Sequence, residues 1–149
     1  MRSLLGGFLR RFVTVHVVTY LVFGVFFMAV SQYFDYFKSH DLFKDFMRPA
    51  DSLIVRLAVV IQIIRGTLLG LAIYSFHSVI VGERFGWLKL FGVMWVLTGI
   101  GAVITGPGSI EGFIYTKFGF GNPLIGLPEV TLQMLAFSWI FTRWEKKHA

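Results

Sequence analysis

Residues 12–30 read FVTVHVVTYLVFGVFFMAV, with no Asp, Glu, Lys or Arg among them. At about 1.5 Å per helical residue such a run reaches ~28 Å, close to the ~30 Å hydrocarbon thickness of a bilayer. The stretch therefore predicts a membrane-spanning helix. Arg10 and Arg11 before it and Ala29-Val30-Ser31 at its end have a signal-like arrangement. The run nevertheless exceeds the roughly 7 to 15 residues of a secretory signal core, so a span is the expected reading.

Three further apolar stretches follow. One runs from Leu53 to Val81, after Pro49 and the N-cap candidates Asp51 and Ser52. If wholly helical it would extend ~43 Å, which predicts tilt or projection beyond the hydrocarbon. Another runs from Phe85 to Thr105 and stops at Gly106-Pro107-Gly108, and the last from Pro128 to Trp144. With the connections these four spans, residues 12–30, 53–81, 85–105 and 128–144, use almost all of the 149 residues. The expected fold is an all-α, four-transmembrane-helix bundle forming a single transmembrane domain over residues 1–149. Composition agrees: 56% of residues are hydrophobic, 15% are charged and mean hydropathy is +0.71, whereas soluble domains carry roughly 25% charged residues.

The net charge of +6 is concentrated at segment ends, in Arg2, Arg10 and Arg11, in Arg84 and Lys89, and in Arg143, Lys146 and Lys147. Cations there meet anionic headgroups, so the expected partner is the lipid bilayer and not nucleic acid. The same distribution predicts cytoplasmic termini in an inner, plasma-type membrane. Between the first two spans, Tyr33, Phe34, Tyr36, Phe37, Phe43 and Phe46 alternate with Asp, Lys and His40. That pattern suits an interfacial helix at headgroup level. Trp87, Trp139 and Trp144 fit the cytoplasmic aromatic belt.

Cysteine is absent, which removes disulfides, thiolate metal sites and thiol catalysis together. The chain also lacks a His-Glu-x-x-His helix, a phosphate-cradling Gly-rich loop, a nucleophile elbow and a dinucleotide fingerprint. No cofactor or metal is expected, and conventional catalysis loses its usual signatures.

What needs explaining is polar residues at depth. Arg65 stands 12 positions inside the second span, ~18 Å from its end and near the bilayer centre. A charge there faces the bundle interior or a water-filled cavity and pairs with an acid. The expected partners are Glu129, in the first turn of the last helix after Pro128, and Glu111. Gln62 and Gln133 extend these into a polar seam, an outward-facing binding pocket of Arg65, Glu129, Glu111, Gln62 and Gln133. Arg56, near the span end, can snorkel to water. His16, one turn inside the first span, is a candidate proton relay or a hydrogen-bond partner for a neighbouring helix, and His77 with Tyr74 reads as interfacial. From Gly106 to Leu127 the chain is largely apolar, aromatic or glycine, which predicts a partly re-entrant loop between the third and fourth spans. Gly66 and Gly70 form one GxxxG pair, expected to serve close packing inside one subunit.

Three function classes fit these residues. The first is a small transporter or channel-like protein built around the polar pocket, which in a chain this short implies a homo-oligomer. The second is a non-enzymatic subunit of a larger membrane complex, in which the same charges are structural. The third is an intramembrane enzyme acting on a lipid, with Glu111 or Glu129 as acid or base.

Overall fold

The computed structural model describes residues 2–30, 52–97 and 127–148. Each element is a helix: α1 (Arg2–Val30), α2 (Leu53–Arg56), α3 (Ala58–Tyr74), α4 (His77–Gly82), α5 (Gly86–Trp95) and α6 (Leu127–Lys146). The described residues contain no strand, as expected for an all-α chain. The interfacial segment at residues 31–51, the re-entrant segment at 106–126 with Glu111, and the third span beyond Leu97 lie outside the described residues.

Helix α1 begins ten residues before the uncharged run, and its stretch Leu4–Val30 is long and apolar enough to cross a membrane. It is the one described helix that meets both criteria: the apolar α3 has 17 residues, and α6, with 20, is not apolar enough.

Burial on α1 falls on Phe8, Arg11, Phe12, Val15, His16, Thr19 and Phe27, positions whose helical spacing puts them on one face. This face packs against α3 on one side and α6 on the other, while α5 covers the far side of α6. On α3 the buried positions are Gln62, Gly66, Gly70 and Ile73, again a single stripe. The contacts set the directions. Phe12 meets Phe141, and His16 meets Phe137, so α1 and α6 are antiparallel. His16 also meets Gln62, whereas Phe8 meets Tyr74, so α1 and α3 are antiparallel too. The N-terminal turns of α1 and the C-terminal turns of α6 consequently share one end of the bundle.

The GxxxG pair lets α3 approach α1. A Cβ on Gly66 would lie 2.9 Å from His16 Cδ2, and one on Gly70 would lie 2.9 Å from a Leu9 methyl and 3.2 Å from the Phe12 ring. Packing within the subunit thus accounts for both glycines.

The expected second span is not one continuous helix. Backbone hydrogen bonds continue through Leu57, from Leu57 to the Leu53 carbonyl and from Ile61 to that of Leu57, both 3.0 Å. At Ser75-Phe76 the helix does break. The Phe76 N–H turns back to the Ile73 carbonyl at 2.9 Å, a tighter i→i−3 bond, and α4 restarts at His77. The short α4 then reverses into α5 through Glu83, Arg84 and Phe85. Gly86 is required at this reversal, because a Cβ there would lie 1.8 Å from the Ile80 carbonyl oxygen.

Gly86→Ala is therefore expected to destabilise the protein by about 3 kcal/mol, the upper range of overpacking costs. Gly82→Ala, where a Cβ meets nothing within 4 Å, should leave the melting temperature within about 2 °C of the parent. Thermal unfolding of the two variants in the same detergent compares them directly, and equal melting temperatures would contradict the packing described.

Candidate functional site

Two polar layers cross the bundle, separated by aromatic rings. The first lies at the shared end of α1 and α6. Arg11 falls three residues after Phe8 and one before Phe12, so the helical period turns its side chain inward with theirs. Glu145 follows Phe137 and Phe141 at four-residue steps on α6, which brings its carboxylate into the same register. Arg11 Nε donates to Glu145 Oε2 at 2.6 Å, and Nη2 donates to Oε1 at 3.0 Å. This is a bidentate guanidinium–carboxylate pair, the geometry that most favours Arg over Lys. Its side chains are 10% and 3% exposed. His77 Nε2 lies 3.2 Å from the same Oε1, brought there by the restart of the helix after Ser75-Phe76.

Burial alone would raise the pKa of Glu145, which lies one residue past the expected span. Hydrogen bonds from Arg11 and then His77 outweigh that and hold the carboxyl below its ordinary value. Such a group stays ionised and makes a poor general acid at neutral pH.

Above the triad the interior is ringed by phenylalanine. Phe8, Phe12, Phe137 and Phe141 are all fully buried. Edge-to-face contacts at 4.9 to 5.2 Å join Phe12 to Phe137 and Phe141, and Phe8 to Phe141, each favourable by roughly 0.5–1.5 kcal/mol beyond the area it buries.

The second polar layer lies deeper. His16 Nε2 is 3.2 Å from Gln62 Oε1, so the histidine is hydrogen-bonded across to α3. Its Nδ1 is buried and has no protein partner. Thr19 donates back to the Val15 carbonyl at 2.8 Å, the bond that buried helical threonines favour. Gln133 is buried on α6. Toward the start of α6, Glu129 comes close to α1: a Cβ on Gly24 would lie 3.9 Å from its Oε1.

The residues expected in one pocket are distributed differently. Gln62 and Gln133 are interior and Glu129 is partly buried beside α1, whereas Arg65 is exposed. Three residues along a helix is a rotation of about 300°, which leaves Gln62 and Arg65 some 60° apart around α3. That difference suffices to put one against α1 and the other on the outer surface. The ion pairs among the described residues join Arg11 and His77 to Glu145 and Lys89 to Glu83, and Arg65 is in none of them.

Arg11 and Glu145 were not singled out by sequence. Arg11 sits in a basic cluster that reads as headgroup-facing, and Glu145 lies between Trp144 and Lys146 at what reads as a solvated end. The available signal was the spacing: Phe8-Arg11-Phe12-Val15 and Phe137-Phe141-Glu145 each place a charge on an aromatic face.

Glu145→Leu should destabilise the bundle by about 3–5 kcal/mol by leaving Arg11 buried and unpaired, and the double variant Arg11→Met/Glu145→Leu should recover most of that loss. Additive losses in a thermal or denaturant series would refute the pairing. Because the ionised carboxylate is favoured in the folded state, its stabilisation is complete above the ordinary carboxylate pKa and is lost as pH falls through the lower folded value. The parent should accordingly lose stability below about pH 4.5, and Arg11→Met/Glu145→Leu should show a flatter profile there.

No family model, no curated protein and no solved structure matches this chain.

Proposed function

We propose that this chain is a non-enzymatic, four-span membrane subunit that docks through the outer face of α3 onto a transmembrane helix carrying an Asp or Glu. Support for the bilayer begins with surface composition. Val18, Val22, Val25 and Phe26 on α1, Ile61, Ile64 and Leu68 on α3, and Val93 and Leu97 along and after α5 are all exposed. Soluble monomers rarely expose apolar surface on this scale, and a bilayer covers it without cost. The four apolar stretches of the sequence support the four-span reading, and the cations cluster toward the end that holds Arg11, Glu145 and the α4–α5 turn. By the positive-inside rule that end is cytoplasmic, with both termini.

The observation that carries the subunit reading is Arg65. It is exposed on α3 amid Ile61, Ile64 and Leu68, midway along an apolar helix. A guanidinium facing lipid at that depth costs from about 2.5 to well above 10 kcal/mol. A carboxylate from a neighbouring transmembrane helix removes that cost and at the same time specifies the partner. Inside the bundle, by contrast, Arg11 already has its acid. The two arginines divide the labour: one joins the subunit's own helices, the other waits for a second polypeptide.

A photocrosslinking residue at position 61 or 68, in native membranes, is expected to form an adduct with another polypeptide whose crosslinked helix contains an acid. The yield should persist in Arg65→Lys and fall about tenfold in Arg65→Leu, the effect of losing a contact of ~1.4 kcal/mol. An adduct to residues 98–126 of the same chain, or a yield indifferent to Arg65, would overturn the proposal.

A second reading, proton-coupled transport, is favoured by one observation: His16 Nδ1 is buried without a protein partner, leaving a ring nitrogen in the interior that can take up a proton. On that reading proteoliposomes containing the chain would conduct protons under a pH gradient, and His16→Gln would abolish the flux. The subunit reading predicts background flux for both.

A further inference from the structure

At the C-terminal end of α6 an open groove of about 470 Å³ is lined by Trp139, Ile140, Arg143, Trp144, Lys146 and Lys147. We infer that this groove binds the headgroup of one anionic phospholipid, whose acyl chains lie along the outer face of α6. Two of its cations are held in place. The Arg143 guanidinium sits 4.2 Å from the centre of the Trp139 ring, a cation–π contact that leaves its N–H edge free for an anion. Lys146 Nζ donates to the Glu83 carbonyl at 2.6 Å, which ties it to the α4–α5 turn. The nearby carboxylates do not neutralise the groove: Glu145 is buried and paired with Arg11, and the Glu83 carboxylate is paired with Lys89.

The surface above the groove matches the rest of a lipid. Leu132, Ala136, Trp139 and Arg143 recur at three- and four-residue steps with Ile140 beside Trp139, so they form one stripe that is apolar up to its basic end. Leu132, Trp139 and Ile140 are exposed along it. From Leu132 to Arg143 the helix rises ~16 Å, about one leaflet of hydrocarbon. An amphiphile with a negative head and an apolar tail of that length complements the stripe at both ends. A phosphoryl group is the natural acceptor for the Arg143 fork, with Lys147 adding a second charge.

The inference rests on the bilayer-embedded reading above. Resistance of the protein to alkaline extraction from membranes reports on that reading separately, so the two can fail independently. The test is native mass spectrometry of the full-length detergent-solubilised protein titrated with phosphatidylglycerol, phosphatidylcholine or inorganic phosphate. Retention of one phosphatidylglycerol in preference to phosphatidylcholine is expected. It should weaken about fivefold in Arg143→Gln or Lys147→Gln and about twentyfold in the double variant, in line with the headgroup attraction of each cation, while melting temperatures stay at the parent value. Equal retention of the two lipids, or no loss in the variants, would overturn the proposal. Displacement of bound phosphatidylglycerol by millimolar inorganic phosphate would also overturn it, by assigning the groove to a free phosphate.

Discussion

The bidentate pair between Arg11 and Glu145 closes the bundle. It joins the first described helix to the last across 134 residues of sequence, and everything nearby is arranged around it. A buried guanidinium and carboxylate are costly to desolvate, and only good geometry with their remaining lone pairs satisfied offsets that cost. The break at Ser75-Phe76 contributes to this by letting His77 approach the Glu145 oxygen that already accepts from Arg11 Nη2. The four phenylalanines exclude water from above, which strengthens the pair by lowering the local dielectric. An interaction that is expensive unless complete specifies register well: sliding α6 by one turn against α1 would strand both charges.

That constraint explains how the helices meet. With Arg11 opposite Glu145, the antiparallel register sets Phe12 between Phe137 and Phe141, His16 beside Phe137, and Gly24 near Glu129. On the other side of α1, the small faces of Gly66 and Gly70 admit the His16, Leu9 and Phe12 side chains. The interior polar groups thus serve as points of alignment between helices. Arg65 stands apart from this scheme, on a surface the chain's own core does not use, and that contrast underlies the subunit reading.

Much of this could be read from the sequence. The uncharged run at residues 12–30 marks α1, Pro128 marks the start of α6 to within one residue, and Gly66 with Gly70 marks the close approach of α3. Other features left no signal in composition or in a residue count. Ser75-Phe76 contains neither Pro nor Gly, so an apolar stretch of 29 residues reads as one helix although α3 ends at Tyr74 and α4 restarts at His77. Position along the sequence puts Arg65 in the middle of an apolar segment, but it says nothing about azimuth, and 60° of rotation separates its surroundings from those of Gln62. Arg11 and Glu145 belong to clusters whose average character is that of a wetted end. Only their phase relative to neighbouring phenylalanines distinguishes them from Arg10 and Lys146, which are exposed.

The central claim is that the polar groups within the bundle form dry contacts between helices and do not line an aqueous pocket. Because the chain has no cysteine, single cysteines at positions 62 and 133 can be tested in native membranes with membrane-impermeant thiol reagents applied to either side. No labelling at either position, in variants shown to be folded, is the result this account predicts. Rapid labelling at both would establish a water-filled pocket in the bundle and contradict it.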